Sequence, residues 1–199
     1  GKTSLAKLFM EFYSPDKGHI YVDGAELQNF EVQEIRKAVV YVSQEDFLFT
    51  ASVRENLKMG NEEISDEEMI EISRKMGVHQ FVSKMEREYD SVLEERGKNL
   101  SKGQRQKLSL TRAILRHPKI LILDEATSNM DSISEREILN YIKGIRDITL
   151  ILISHRINVI ADSDCIYVLQ KGNIVARGTD EQLKEQCELY RQLYGEEEK

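Results

Sequence analysis

Asp124 and Glu125 are adjacent carboxylates that follow the aliphatic run Ile120-Leu121-Ile122-Leu123 and precede the small residues Ala126, Thr127 and Ser128. A run that apolar reads as a strand covered on both faces, in the middle of a parallel sheet. The pair then emerges at the carboxyl end of the strand, where open α/β sheets place their ligands. Adjacent strand residues point to opposite sides. One carboxylate can therefore face a metal while the other faces a reacting water. A strand ending in a solvated acidic turn would look the same, so the pair needs support from elsewhere in the chain.

That support comes from three further stretches. Gly1-Lys2-Thr3-Ser4 matches the end of G-x-x-x-x-G-K-[ST], in which backbone N–H groups wrap phosphates, Lys neutralises β/γ oxygens and the hydroxyl binds Mg²⁺. Leu5, Leu8, Phe9 and Phe12 follow at i, i+3, i+4 and i+7, one apolar face of a helix whose positive amino end would aim at the phosphates. Gln44 stands where the apolar strand expected at 38–42 has just ended. It serves there either as a turn residue or, through its carbonyl, as a Mg²⁺ ligand or water holder. Ser101-Lys102-Gly103-Gln104 has the capping-box form S-x-x-Q and opens a helix that runs to Arg116 and is stopped by Pro118. Capping does not explain Gly103, which weakens a first helical turn. A glycine there lets the backbone approach something closely, and a helix amino end attracts an anion.

The elements that must position these residues alternate between strands and helices. A short strand is expected over 19–24, a brief helical piece over 32–37, strands over 38–42, 120–123 and 149–153, and a helix over 134–145 with Ile138, Ile142 and Ile145 on one face. The strand at 149–153 ends at Ser154-His155, which places His155 at the same sheet edge as Asp124 and Glu125. Between them lies an all-helical stretch. In it Ser65-x-x-Glu68 forms a second capping box, Met69, Ile72 and Met76 share a face, Gly77 is the C-cap and 78–87 continues as helix. A hairpin about Lys171-Gly172 and a final amphipathic helix with Leu183, Cys187, Tyr190 and Tyr194 complete the chain, and 195–199 is an acidic tail.

The chain has 199 residues, 40% hydrophobic and 32% charged, which is the balance of a soluble globular domain with one subdomain inserted. Its net charge of −7 gives no case for nucleic-acid binding. Cys165 and Cys187 lie in apolar contexts and read as core fillers. No stretch is long and apolar enough to cross a bilayer. The chain opens inside what reads as the second half of a phosphate loop, without an initiator Met. It is expected to be a piece of a longer protein, cut at its amino end.

Taken in order, these motifs resemble the ATP-binding-cassette (ABC) ATPases. Gly1-Lys2-Thr3-Ser4 resembles the end of Walker A, Gln44 the Q-loop glutamine, and Leu100-Ser101-Lys102-Gly103-Gln104 the LSGGQ signature. Ile120 to Glu125 resembles Walker B with its catalytic carboxylate, Ser128-Asn129-Met130-Asp131 the D-loop, and His155 the switch histidine. Phe47-Leu48-Phe49 with Ser52-Val53-Arg54-Glu55-Asn56-Leu57, and the acidic Ser91–Gly97 loop, are similar to the exporter type. Lys102 departs from the glycine common there.

The resemblance implies an α/β fold: a P-loop NTPase core with a mostly parallel sheet and an inserted α-helical subdomain. The expected division is core over 1–44, helical subdomain over 45–117 and core again over 118–199. It implies hydrolysis of ATP between two such domains, identical or different, arranged head to tail. Gly1, Lys2, Thr3, Ser4 and Asp124 would bind ATP, Thr3 and Gln44 would ligate Mg²⁺, and Ser101, Lys102, Gly103 and Gln104 would contact the partner's nucleotide, with Asp131 in the D-loop. Glu125, His155 and Gln44 would be catalytic. The Phe47–Phe49 loop would meet a transmembrane domain at the cytoplasmic face of a membrane. A soluble DNA-repair or translation ATPase and a non-hydrolysing cassette are the alternatives, and intact Glu125 and His155 speak against the second.

Overall fold

Val39–Val42 and Ile120–Leu123 can be so nearly aliphatic because they lie side by side as parallel strands, with Leu121 and Ile122 fully buried. The computed structural model describes residues 1–45 and 47–197. Asp46, in the loop after the first of these strands, and Glu198 and Lys199, in the expected acidic tail, lie outside the described residues. The chain forms α1 (Lys2–Phe9), β1 (Tyr21–Val22), β2 (Ala25–Glu26), α2 (Val32–Ala38), β3 (Val39–Val42), α3 (Val53–Lys58), α4 (Asp66–Lys75) and α5 (His79–Val82). Then follow α6 (Lys102–Leu115), β4 (Ile120–Asp124), α7 (Ser132–Lys143), β5 (Thr149–Ile153), α8 (Ile157–Ile160), β6 (Ile166–Gln170), β7 (Asn173–Gly178), α9 (Asp180–Gln186) and α10 (Glu188–Glu197). They gather into two compact units, residues 30–151 and residues 1–29 with 152–199.

The sheet runs in the order β3-β4-β5, and in the unit of residues 30–151 Val39, Val40, Tyr41 and Val42 stand opposite Ile120, Leu121, Ile122 and Leu123. The all-helical stretch is present, with α3 and α4 packed on α6. Val53, Leu57, Met69, Met76, Leu93 and Leu108 are wholly withdrawn from solvent there. Ser65 caps α4 by accepting the Glu68 N–H at 3.1 Å. The box is only half closed, because the Glu68 carboxylate lies 3.2 Å from His117 Nε2 instead. Gly77 follows α4 at φ 70°, as its role beyond the helix end requires. The helix expected over 78–87 is short. After α5 the chain tightens through bonds such as Lys84 N–H to Phe81 O, and Glu88 takes φ 44° so that Tyr89 can bury itself and meet His79. The helix expected over 134–145 begins two residues earlier, because Asp131 caps it, and Ile145 lies past its end.

In the other unit the expected face of α1 is displaced by one position. Ala6 and Met10 point inward, while Leu5 is 43% and Phe12 52% exposed. The two stripes are neighbours on a helix, and the helix ends at Phe9, with Glu11 at φ 52° turning the chain before Phe12. The strand expected over 19–24 is instead a minimal hairpin, β1 against β2, turning at Asp23-Gly24. The hairpin at Lys171-Gly172 forms as expected, both turn residues having positive φ. Cys165, ahead of β6, is exposed and is no core filler; Cys187 is buried. Leu183, Cys187 and Tyr190 do share one buried face with Ile157, Ile166 and Val168. The final helix, however, breaks at Cys187, whose φ of −121° and ψ of 105° are extended. The break brings Tyr190 and Tyr194 back to Asp180: both hydroxyls donate to its Oδ1, at 2.8 and 2.6 Å, and Lys184 Nζ lies 2.7 Å from its Oδ2.

Burial alone would raise the Asp180 pKa, but the bonds from Lys184, Tyr194 and Tyr190 outweigh it and hold the carboxyl below its usual value. A depressed carboxyl stabilises the fold above its unfolded pKa, about 3.9, and loses that contribution as the pH falls through the folded value. Asp180→Asn should therefore destabilise the protein by about 1–2 kcal/mol at pH 7. The difference in melting temperature from the parent should shrink below about pH 4. An equal deficit at both pH values would show that packing, not charge, ties α9 to α10.

Candidate functional site

The register of β3 on β4 decides which residues share the carboxyl edge of the sheet. Val42 stands opposite Leu123, so Ser43-Gln44 and Asp124-Glu125 leave the sheet together. Gln44 is exposed there, as a group reaching for a ligand must be. Asp124 is the last residue of β4 and only 7% exposed. Its Oδ2 accepts a hydrogen bond from the Tyr41 hydroxyl at 2.9 Å, which fixes the carboxylate's orientation. Burial, and then the bond and charge of Asp124, push the Tyr41 pKa up to about 12, so the hydroxyl stays a donor. Tyr41 was not singled out in the sequence. Its signal is a lone hydroxyl inside Val-Val-Tyr-Val, which must find a partner when a strand is buried.

Glu125 corrects the expectation drawn from strand alternation. It lies past the end of β4 at φ 52°, in the left-handed region, so it is a turn residue and the alternation of a strand does not set its direction. A non-glycine residue held there costs roughly 1–3 kcal/mol and persists only where its surroundings determine it. They do so here. Ser128 N–H returns to Glu125 O at 3.2 Å, Met130 N–H to Thr127 O at 3.1 Å, and Asp131 accepts the Ser134 N–H to cap α7. That bond also holds the Asp131 carboxyl below its ordinary pKa.

The Ser101–Gln104 turn is built as its sequence requires. Ser101 Oγ accepts the Gln104 N–H at 3.2 Å, and Gln104 Oε1 accepts the Ser101 N–H at 2.8 Å. Ser101 and Lys102 are exposed at the start of α6. The close approach expected at Gly103 is made by the chain itself: a Cβ there would stand 3.1 Å from the Asn129 carbonyl oxygen. Asn129 is also held by Gln106, fully buried and on the same face of α6, whose Oε1 accepts the Asn129 N–H at 3.0 Å. Gln106 was also missed, because a glutamine inside a polar helical stretch carries no burial signal of its own.

In the unit of residues 1–29 and 152–199, Gly1 caps α1, and Lys2, Thr3 and Ser4 form its exposed first turn, which has no acidic residue. Lys2 Nζ donates to Ser154 O at 3.3 Å, which brings the helix start and the strand end together. His155 follows Ser154 and is exposed. An amino-terminal helix turn with a lysine and two hydroxyls, beside an exposed histidine, has the groups to hold phosphate oxygens.

Residues 1–128 match the ABC transporter family. The chain is 43% identical over 187 residues to the heterocyst differentiation ATP-binding protein HepA of Nostoc sp., covering 94% of this chain and 31% of that protein. It is 40% identical to the lactococcin-G-processing and transport ATP-binding protein LagD of Lactococcus lactis subsp. lactis, covering 97% of this chain and 28% of that protein. The chain thus spans less than a third of the length of either relative. The solved structure of a bacterial Atm1-family ABC exporter with ATP bound aligns with a TM-score of 0.94 at 31% identity, covering 99% of this chain and 35% of that one. The fold is therefore the α/β P-loop fold of that family.

The Tyr41–Asp124 bond has a direct spectroscopic test. With ¹³Cζ-labelled tyrosine, the resonance assigned by Tyr41→Phe should titrate near 12, well above the ordinary 10.0. Replacing Asp124 by Asn should lower that value only part of the way, since burial is the larger cause. An ordinary tyrosine titration in the parent protein would mean that the bond is not made in solution.

Proposed function

The chain belongs to the ABC transporter family, and from that membership we propose that it is the ATP-hydrolysing motor domain of a membrane exporter. The observation that carries the reading is the buried Asp124, held by Tyr41, with Glu125 in a left-handed turn conformation at the same strand end. Gly1, Lys2, Thr3 and Ser4 bind the phosphates, Lys2 supplying the charge and the helix start supplying N–H groups. Thr3, Gln44 and Asp124 offer a hydroxyl, a side-chain carbonyl and a carboxylate, the hard oxygen donors that suit Mg²⁺. Thr3 and Gln44 would hold the ion, with Asp124 supporting them. The ion, when bound, neutralises charge on the β- and γ-phosphates.

Glu125 takes the proton from the water whose oxygen attacks the γ-phosphorus. The bond to the β–γ bridging oxygen breaks, and ADP and phosphate leave. His155 contacts the γ-phosphate, and Gln44 helps to place the water. Ser101, Lys102, Gly103 and Gln104 close over the nucleotide of a second such domain, head to tail, and Asp131 lies in the loop facing that partner. Lys102 adds a positive charge near the partner's γ-phosphate.

The subdomain of residues 45–117 transmits closure to a transmembrane domain through Phe47 and Phe49. Both are exposed, at 56% and 41%, whereas a core role would have buried them. No helix of the described residues is long and apolar enough to cross a membrane. The membrane-spanning part lies elsewhere in the parent protein, and this domain sits on the cytoplasmic face. Relatives whose names describe transport, such as LagD and the mitochondrial iron–sulfur clusters transporter of Oryzias latipes, favour the exporter over a soluble ATPase.

In the full-length parent protein, Glu125→Gln should keep ATP affinity while hydrolysis falls by roughly 10²–10⁴-fold, the worth of a positioned base. The nucleotide should then hold two domains together long enough for an ATP-dependent association to appear by cross-linking. Asp124→Asn should instead weaken Mg²⁺-dependent nucleotide binding and lose that association. Parental turnover by Glu125→Gln would assign the base elsewhere.

A further inference from the structure

The exposed aromatic pair depends on one buried amide. Phe47 and Phe49 meet edge to face, with ring centroids 4.8 Å apart, while Leu48 between them is 1% exposed. Asn56, on α3, is fully buried beneath the loop. Its Oδ1 accepts the Phe49 N–H at 2.9 Å, and its Nδ2 donates to Phe49 O and to Ser52 O, each at 3.0 Å. One side chain thus satisfies both backbone groups of Phe49, as a neighbouring strand otherwise would. The near side of the loop is held from α6, where Arg112 Nη2 donates to Phe47 O at 2.8 Å. The far side is tied down by a short antiparallel bridge, Val53 N–H to Ser91 O at 3.0 Å and Leu93 N–H to Ala51 O at 2.9 Å.

Resting on the reading that this loop meets the membrane domain, we infer that Asn56 is a positioning residue for that contact, holding Phe47 and Phe49 outward. Its chemistry suits the task uniquely among small side chains. The loop needs one acceptor and two donor hydrogens at a single reach; Asp lacks the donors and Ser carries one hydrogen only. Gln would place the amide one methylene too far. Without Asn56 the Phe49 N–H would need water, and Phe49 O would keep only the Ala51 N–H, at 2.9 Å. A loop that turns to find water no longer presents its rings in a fixed arrangement.

The test uses the full-length parent protein in vesicles of phosphatidylcholine and phosphatidylethanolamine. Asn56→Ala, Phe47→Ser with Phe49→Ser, and the triple variant are compared for kcat and KM of ATP hydrolysis, amide exchange at residue 49 and thermal melting. The aromatic variant and Asn56→Ala should each lower kcat by about tenfold at unchanged KM, and the triple variant should fall no further, as for residues acting through one contact. Exchange at residue 49 should rise wherever Asn56 is absent. Losses that multiply in the triple variant, or parental kcat in Asn56→Ala beside an impaired aromatic variant, overturn the positioning role alone. Parental kcat in the aromatic variant overturns the membrane contact of the loop, and the role of Asn56 with it. Where Asn56→Ala does not fold, Asn56→Asp, which keeps the acceptor and loses both donations, carries the same comparison.

Discussion

In a sheet, sliding one strand by a single residue turns each of its side chains to the opposite face. Between β3 and β4 that slip is opposed by burial on both sides and by Tyr41, whose hydroxyl donates to Asp124. The bond runs from inside β3 to the last residue of β4, so it reports on register and fixes a carboxylate at once. From that register follows the shared exit of Ser43-Gln44 and Asp124-Glu125 at one sheet edge. The ends of two packed strands thus place all four residues.

The helical stretch obeys a different constraint. Its parts come from distant sequence, and a glycine leaves room for the side chains that meet at its joint. Gly97, at φ 65°, would carry a Cβ only 2.9 Å from Leu48 Cδ1. Arg105, one turn into α6, donates to Gly97 O at 3.3 Å and to Leu100 O at 2.7 Å. The buried centre of the aromatic loop, the acidic loop before residue 100 and the opening turn of α6 therefore share one joint.

Periodicity was sufficient where an element is buried on a definite face. Met69, Ile72 and Met76, and Leu183, Cys187 and Tyr190, were readable as inward residues and are buried. It was insufficient where two stripes compete or where a side chain takes the backbone's place. On α1 the pattern of Leu5 and Phe12 was larger and more apolar than that of Ala6 and Met10, yet the smaller residues face inward. At Cys187 the apolar spacing continues unbroken while the helix does not, since pairing of Tyr190 and Tyr194 with Asp180 is a tertiary event. The site divides along the same line. Motif spacing exposed the groups offered to a ligand, but Tyr41, Asn56 and Gln106 act on this chain's own atoms, and a hydrogen bond between distant residues leaves no periodic trace.

The turn after β4 shows how these internal contacts bear on chemistry. Glu125 occupies a strained conformation that would relax if the turn were free. It is not free: Gln106 holds Asn129 by its N–H, Gly103 admits the Asn129 carbonyl, and Lys107 Nζ reaches Ser134 Oγ at 2.8 Å in the first turn of α7. Gly103, Gln106 and Lys107, at i, i+3 and i+4 on one face of α6, thus hold the segment from Asn129 to Ser134. A shift of α6 must either carry that segment along or break a buried hydrogen bond, which costs roughly 1–3 kcal/mol when a group is left unsatisfied. Carrying it along is the cheaper course. The helix that begins at Ser101 and the segment that follows the Glu125 turn are consequently joined by hydrogen bonds at Asn129 and at Ser134.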